Sequence, residues 1–386
     1  MYFFPCIADS LCYDMSNKKE QEEIGRYKEG VIMKKWEENI RKVVPYTPGE
    51  QPQRKDIIKI NTNENPFGPS PEVRKVLQEF DVDSLRKYPD PNVGLLVDAI
   101  AEFYGLDRDQ VFVGVGSDDV IAMCFMTFFN SKKPILFPDI TYSFYDVWAD
   151  MLRIPYETQP LDDDLKIRTA DYKKENGGII FPNPNAPTGE LLPLSNVEEI
   201  IAANPDVIVM VDEAYVDFGG ESALPLIEKY DNLLVIQTYS KSRSLAGSRI
   251  GFAMGNKTLI KYLNDVKYSF NSYTMDSLTI ALGTAAMKDV AYFEKTRDAI
   301  VRTREWTKEQ LRELGFVFGD SKSNFIFATH PGLDMIERFE ALKEEGIYVR
   351  HFSKPERISN YLRISVGTDR EMETFIQFLT RYLESR

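Results

Sequence analysis

VIVMVDEAY (residues 207–215) is the stretch on which the reading of this chain turns. Val207 through Val211 form an unbroken apolar run, as a strand buried on both faces requires. The run ends on Asp212, and a carboxylate at the end of a buried strand needs a partner. Working outward, Val111–Val113, Pro134–Phe137, Gly178–Phe181 and Leu233–Ile236 read as further strands. Helical patterns at 71–80, 92–104 and 118–129 lie among them. This alternation predicts an α/β fold, with a mostly parallel sheet flanked by helices. Sheets of this kind bind ligands beyond the carboxyl ends of their strands. Ser117, Tyr142, Asn185, Asp212 and Lys241 each follow an apolar run within a few positions.

From about residue 289 the pattern changes. A long charged helix to Leu314, strands at Phe325–Phe327 and Leu362–Ile364, and helices at 334–345 and 370–385 read as a smaller α+β domain. The expected division is a large domain over 65–288 and a small one over 289–386. Upstream, Ile57, Ile58 and Ile60 read as a short strand, and Trp36, Ile40 and Val44 recur at helical spacing. Met33 reads as a natural start, which leaves residues 1–32 as an N-terminal extension.

Composition narrows the classes. The chain has 386 residues, 43% of them hydrophobic and 28% charged, as in ordinary globular proteins. A net charge of −13 argues against a nucleic-acid partner, so any phosphate must be held by a local cluster of cations. No apolar run approaches the ~18 residues of a membrane span. MYFFPCIADSLCY lacks a cationic start and is broken by Asp9, unlike a signal peptide. Cys6, Cys12 and Cys124 have no metal-ligand spacing and fit a reducing cytoplasm. With two histidines in the chain, neither a His-rich metal site nor a Ser-His-Asp triad is expected.

The chemistry concentrates in TYSKSRSLAGSRIGF (238–252). Lys241 sits in a hydroxyl-rich turn after an apolar run, and Arg249 follows amid Gly247 and Gly251. An amine can form an imine with an aldehyde, while Thr238, Ser240 and Arg249 can hold a phosphate. Pyridoxal phosphate carries both groups. Asp212 could pair with its protonated pyridine nitrogen, and Tyr215 could donate to its 3-oxygen. VGVGSDDVI (113–121) offers the backbone N–H groups of Ser117 and Asp118 at a helix start, an anion seat. In PDITYSFY (138–145), Tyr142 could stack on a flat ring. In NPNAPTG (183–189), Asn side chains could reach a ring oxygen. Taken singly, these segments also read as helix caps, core tyrosines and surface turns. Their order after successive strands, each supplying a different group, is what joins them.

With PYTPGEQP (45–52), NENPFGPSP (63–71), KYPDP (87–91), GSDD (116–119) and LRISVGT (362–368) added, the chain resembles the fold-type-I pyridoxal-phosphate aminotransferases. Within them it is similar to the group acting on histidinol phosphate, from about Trp36 to the C-terminus. The resemblance implies that Lys241 carries the cofactor, Asp212 faces its nitrogen and Tyr142 stacks on its ring. It implies that Tyr88 reaches the phosphate in a neighbouring subunit, hence a homodimer with shared active sites. Residues 33–64 would then be an arm packing on the small domain and the partner subunit. Arg363 would clamp the substrate carboxylate, and Arg350 and Tyr46 would read a distal phosphate, with 2-oxoglutarate as the second substrate. Ala186 departs from the Asn usual before Pro-Thr-Gly, leaving the 3-oxygen to Asn185 or to Tyr215 alone. A threonine-phosphate decarboxylase, an aromatic aminotransferase and a non-catalytic sensor of the same fold stand as alternatives.

Overall fold

The computed structural model describes residues 34–384 apart from Gln53 and Lys55. The expected extension, residues 1–32, and the start at Met33 lie outside the described residues. Trp36, Ile40 and Val44 do not form a helical stripe. A single 3₁₀ turn spans Lys35–Asn39, and the three side chains are 58%, 51% and 70% exposed. One turn cannot offset the cost of helix nucleation, and Pro45 disfavours helical backbone at Val44.

The central sheet has seven strands: β1 (Val111–Gly114), β2 (Ile135–Pro138), β3 (Tyr156–Gln159), β4 (Ile179–Pro182), β5 (Val209–Asp212), β6 (Leu233–Thr238) and β7 (Gly251–Gly255). Their spatial order is β1-β7-β6-β5-β4-β2-β3. Pairing is parallel from β6 through β3, whereas β7 runs antiparallel to both its neighbours. The apolar runs follow from burial on two faces. Ile179, Phe181, Val209, Val211, Leu233 and Val235 face one core. Ile180, Met210, Leu234 and Ile236 face the other, with helices Ser117–Phe128, Tyr145–Leu152 and Lys257–Phe270 packed there.

The chain then builds a four-stranded antiparallel sheet from β8 (Val317–Phe318), β9 (Phe325–Thr329), β10 (Arg350–His351) and β11 (Leu362–Ser365). Helices Val290–Glu313, Met335–Glu344 and Asp369–Glu384 accompany it. A separate cluster that includes Phe316, Ile326, Ile364 and Phe375 forms its core. Ile58–Lys59 pairs in parallel with Ile347–Tyr348, which ties the segment before residue 65 to this part of the chain. Among the described residues, no helix is long and apolar enough to cross a membrane.

β7 was not legible as a strand because two of its five residues are glycines. The structure shows why the first of them is there. A Cβ on Gly251 would lie 2.2 Å from the backbone nitrogen of Ser117, so the strand and the helix start touch backbone to backbone. Gly251→Ala is expected to destabilise the protein by about 1–3 kcal/mol or more, since a backbone neighbour cannot turn aside. Gly247→Ala, with nothing within 4 Å of its added Cβ, is the control. Urea unfolding of the two variants checks this.

Candidate active site

The carboxyl ends of β1, β2, β4, β5 and β6 converge as that sheet type demands. Asp212 is the last residue of β5 and only 5% exposed. It accepts hydrogen bonds from Tyr145 Oη at 2.9 Å and from Ala214 N at 3.2 Å, and no ion pair reaches it among the described residues. Burial therefore pushes its carboxyl up to about 6, against those two donors. Lys241 follows β6, with Nζ 3.5 Å from Thr62 O and 5.6 Å from the Tyr215 ring centre. Asn65 Nδ2 holds the carbonyls of Lys241 and Ser242 at 2.9 and 3.2 Å, fixing the loop that carries the amine.

The helix Ser117–Phe128 starts after Gly116, at φ 86°, with no side-chain cap. The N–H groups of Ser117 and Asp118 thus present the positive end of a helix. Beside them Arg249 adopts left-handed backbone, φ 53°, an arrangement that costs a non-glycine residue about 1 kcal/mol or more. Thr238 Oγ1 and Ser240 Oγ are 3.0 Å apart and buried. The Asp118 side chain has a part that its place in the sequence does not reveal. It accepts from Tyr142 Oη at 2.7 Å and from Arg249 Nη2 at 3.2 Å, linking the expected stacking ring to the expected phosphate ligand. Burial and Asp118 keep the Tyr142 hydroxyl protonated.

A cavity of about 170 Å³ has a lining that includes Tyr46, Tyr142, Ala186, Tyr215, Lys241, Arg350 and Arg363. Tyr46 stacks on Phe144, ring centres 4.2 Å apart. Arg350 and Arg363 are direct partners across the antiparallel β10–β11 pair. Like charges so placed repel. They share one apolar support, the Phe352 ring, at 5.5 and 5.4 Å. Arg363 Nη2 donates to Asn61 O at 3.1 Å, and its buried Nε has no hydrogen-bond partner among the described residues. Burial, with Arg350 nearby, lowers the affinity of Arg363 for its proton. The pair is thus arranged for an anionic ligand.

One expected residue is elsewhere. Asn185 is turned to the scaffold: its amide donates to Ile140 O at 3.0 Å and Thr188 Oγ1 at 3.1 Å, and its oxygen accepts from Thr141 Oγ1. It lines a different cavity, while Ala186 lines this one. Tyr88, expected to serve a neighbouring subunit's site, is 82% exposed, its ring tilted against that of Tyr273 with centres 4.7 Å apart, outside its own chain's cavity. A larger groove of about 730 Å³ runs beside Lys257, Lys261 and Lys267, but it gathers none of the strand-end groups. Its lysines are satisfied by Asp107, Asp265 and Pro91 O. Sequence reasoning missed Asn61, Asn63, Asn65, Tyr145 and Phe352. For the asparagines the signal was present in NTNENP, a run of polar residues between two structured segments.

Pyridoxal phosphate fits this arrangement. Asp212 is a buried carboxylate without a cation, which a pyridinium would supply, and the uncapped helix start beside Arg249 is suited to a phosphate. The Asp212 shift also sets a pH signature for the cofactor-free protein. Its folded pKa is raised, so the penalty is absent below about pH 4, grows as pH rises to about 6 and is full above that. Two units correspond to about 3 kcal/mol. Cofactor-free Asp212→Asn is expected to be more stable than the parent near neutral pH, with the difference closing toward pH 4. Denaturant unfolding across that pH range measures it.

The sequence pattern of the aminotransferase class I and II family matches residues 55–379. Over 351 residues, 91% of this chain and 98% of the relative, the sequence is 52% identical to the histidinol-phosphate aminotransferase of Lactococcus lactis subsp. cremoris (strain SK11). It is 53% identical over 348 residues to histidinol-phosphate aminotransferase 2 of Dechloromonas aromatica (strain RCB), covering 89% and 98% of the two chains. The fold is similar to that of the histidinol-phosphate aminotransferase from Sinorhizobium meliloti in complex with pyridoxal-5'-phosphate, with a TM-score of 0.76 and 23% identity over 85% of this chain and 91% of that one. The chain, with its mostly parallel sheet and its strand-end lysine, belongs to the class I and II aminotransferases.

Proposed function

We propose that this chain is a pyridoxal-phosphate-dependent aminotransferase. It exchanges the amino group between L-histidinol phosphate and 2-oxoglutarate, giving imidazole-acetol phosphate and glutamate in histidine biosynthesis. The observation that carries the substrate reading is the arginine pair, Arg350 opposite Arg363 in the cavity that Lys241 also lines. L-histidinol phosphate carries one acidic group, its phosphate, and 2-oxoglutarate carries two carboxylates; a planar guanidinium fork suits carboxylate and phosphate alike. Tyr46, on the cavity wall, adds a hydroxyl for the distal group.

When bound, pyridoxal phosphate supplies an aldehyde that takes the amino group and a ring that delocalises electrons from the substrate carbon. Ser117 N, Asp118 N, Thr238, Ser240 and Arg249 would hold its phosphate. Asp212 would hold the proton on its ring nitrogen, and Tyr142 would support its ring. With the Asn185 amide engaged by Ile140 and Thr188, Tyr215 would donate to the 3-oxygen. Lys241 serves as the base that takes the proton from the substrate carbon bearing nitrogen, and it needs a neutral amine to do so. Arg363 fixes one anionic end of the substrate, which orients the carbon–hydrogen bond toward that base. The exposed Tyr88 ring suits a partner subunit, whose phosphate seat it would complete in a cytoplasmic homodimer.

The test is a substrate panel. Histidinol phosphate with 2-oxoglutarate should yield glutamate, and aromatic amino acids should be poorer donors. Release of CO₂ from threonine phosphate would instead establish the decarboxylase. Lys241→Ala should abolish turnover, a loss of at least about 10³-fold, with the fold intact by circular dichroism. Arg350→Ala should raise KM for the phosphorylated substrate by about tenfold or more, as expected for a lost charge-assisted contact of about 1.5–3 kcal/mol. An unchanged KM would remove Arg350 from phosphate reading.

A further inference from the structure

Asn63 is a non-glycine residue in left-handed backbone, φ 57°, and is only 1% exposed. Such strain persists where the surroundings over-determine it, and it clusters at functional sites. Here every polar group of the residue is used. Its N–H donates to Ser365 Oγ at 2.9 Å, and its carbonyl accepts from Asn324 Nδ2 at 2.9 Å. Ser365 Oγ, having accepted that N–H, gives its own hydrogen to Asn63 Oδ1 at 2.9 Å. The carboxamide is thereby oriented with Nδ2 toward Tyr215, donating to Oη at 2.9 Å.

The direction of that last bond matters. A phenol has one hydrogen to give. With Asn63 as donor, Tyr215 spends none of its hydrogen on the scaffold, and the hydroxyl is left to donate into the cavity that both residues line. Ala186, which also lines that cavity, has no polar side chain, and the Asn185 amide is committed to Ile140 and Thr188. Tyr215 is held by its ring against Phe325, centres 5.1 Å apart at 90°, and by this one bond at its hydroxyl.

We propose that Asn63 is a positioning residue that sets Tyr215 as an obligate donor to the cofactor's 3-oxygen, compensating for Ala186. The inference rests on the reading of Tyr215 given above. A donor to that oxygen favours its anionic form, so weakening the donor raises the pH at which the bound cofactor titrates.

The experiment follows the visible absorbance of the holoenzyme as a function of pH, for the parent, Tyr215→Phe, Asn63→Gly and the double variant. Glycine tolerates the backbone conformation of residue 63, so the side chain is removed without added strain. A thermal melt of each holoenzyme confirms that it is folded, and Asn63→Ser serves if the glycine variant is not. Tyr215→Phe is expected to raise the midpoint by about one pH unit and Asn63→Gly by at least about half of that. The double variant should match Tyr215→Phe alone. If Tyr215→Phe moves the midpoint and Asn63→Gly does not, or if the two shifts add, Asn63 acts only as scaffold and the inference falls while the role of Tyr215 stands. If Tyr215→Phe itself leaves the midpoint unmoved, the reading of Tyr215 fails, and the inference with it.

Discussion

Charge left unneutralised by the protein itself is the constraint on which this structure depends. Asp212 is a carboxylate at the end of a strand buried on both faces, and Arg350 and Arg363 stand opposite each other on a second sheet. No ion pair joins the acid to either arginine among the described residues. Each charge bears a desolvation or repulsion cost that a simple scaffold would avoid. Held on separate sheets, they cannot collapse onto one another. A ligand system with a cationic ring and anionic ends relieves both costs at once, so binding free energy and site specificity have the same origin.

Those sheets must keep a fixed relation for the arrangement to work. The short segment around residues 58–65 supplies much of it. Ile58–Lys59 pairs with Ile347–Tyr348, and Asn61 O accepts from Arg363. Asn63 joins Ser365 to Tyr215, and Asn65 holds the carbonyl of Lys241. Buried side chains bonded to backbone in this way are costly to disconnect, because each broken bond leaves a group unsatisfied. The segment therefore couples the arginine strand to the lysine loop through hydrogen bonds, while Ile58 and Ile60 anchor it in the core beside the second sheet.

Most of the central sheet was legible because its physics is local. A strand covered on both faces must be apolar throughout, and VIVMV and LLVI announce that without reference to anything distant. β7 was not legible. Gly251 answers to the backbone of Ser117, more than a hundred positions earlier, and no local pattern encodes that contact. The stripe at Trp36, Ile40 and Val44 misled for the opposite reason: a helical period was present, but a face of three residues ending at Pro45 is too short to support a helix.

For the site the division is similar. Lys241, Asp212 and Tyr215 stood out as candidates because each closely follows an apolar run, Arg249 because it lies in the same hydroxyl- and glycine-rich stretch as Lys241, and Arg363, inside β11, through the resemblance alone. Sequence by itself determined the fold class and the kinds of groups present. Tertiary structure decided which way each one points. It turned Asn185 toward Ile140 and Thr188, gave Asp118 to Tyr142 and Arg249, and set Arg350 against Arg363. Direction depends on hydrogen bonds and pairings between residues far apart in the chain, and a sequence read along its length does not contain them.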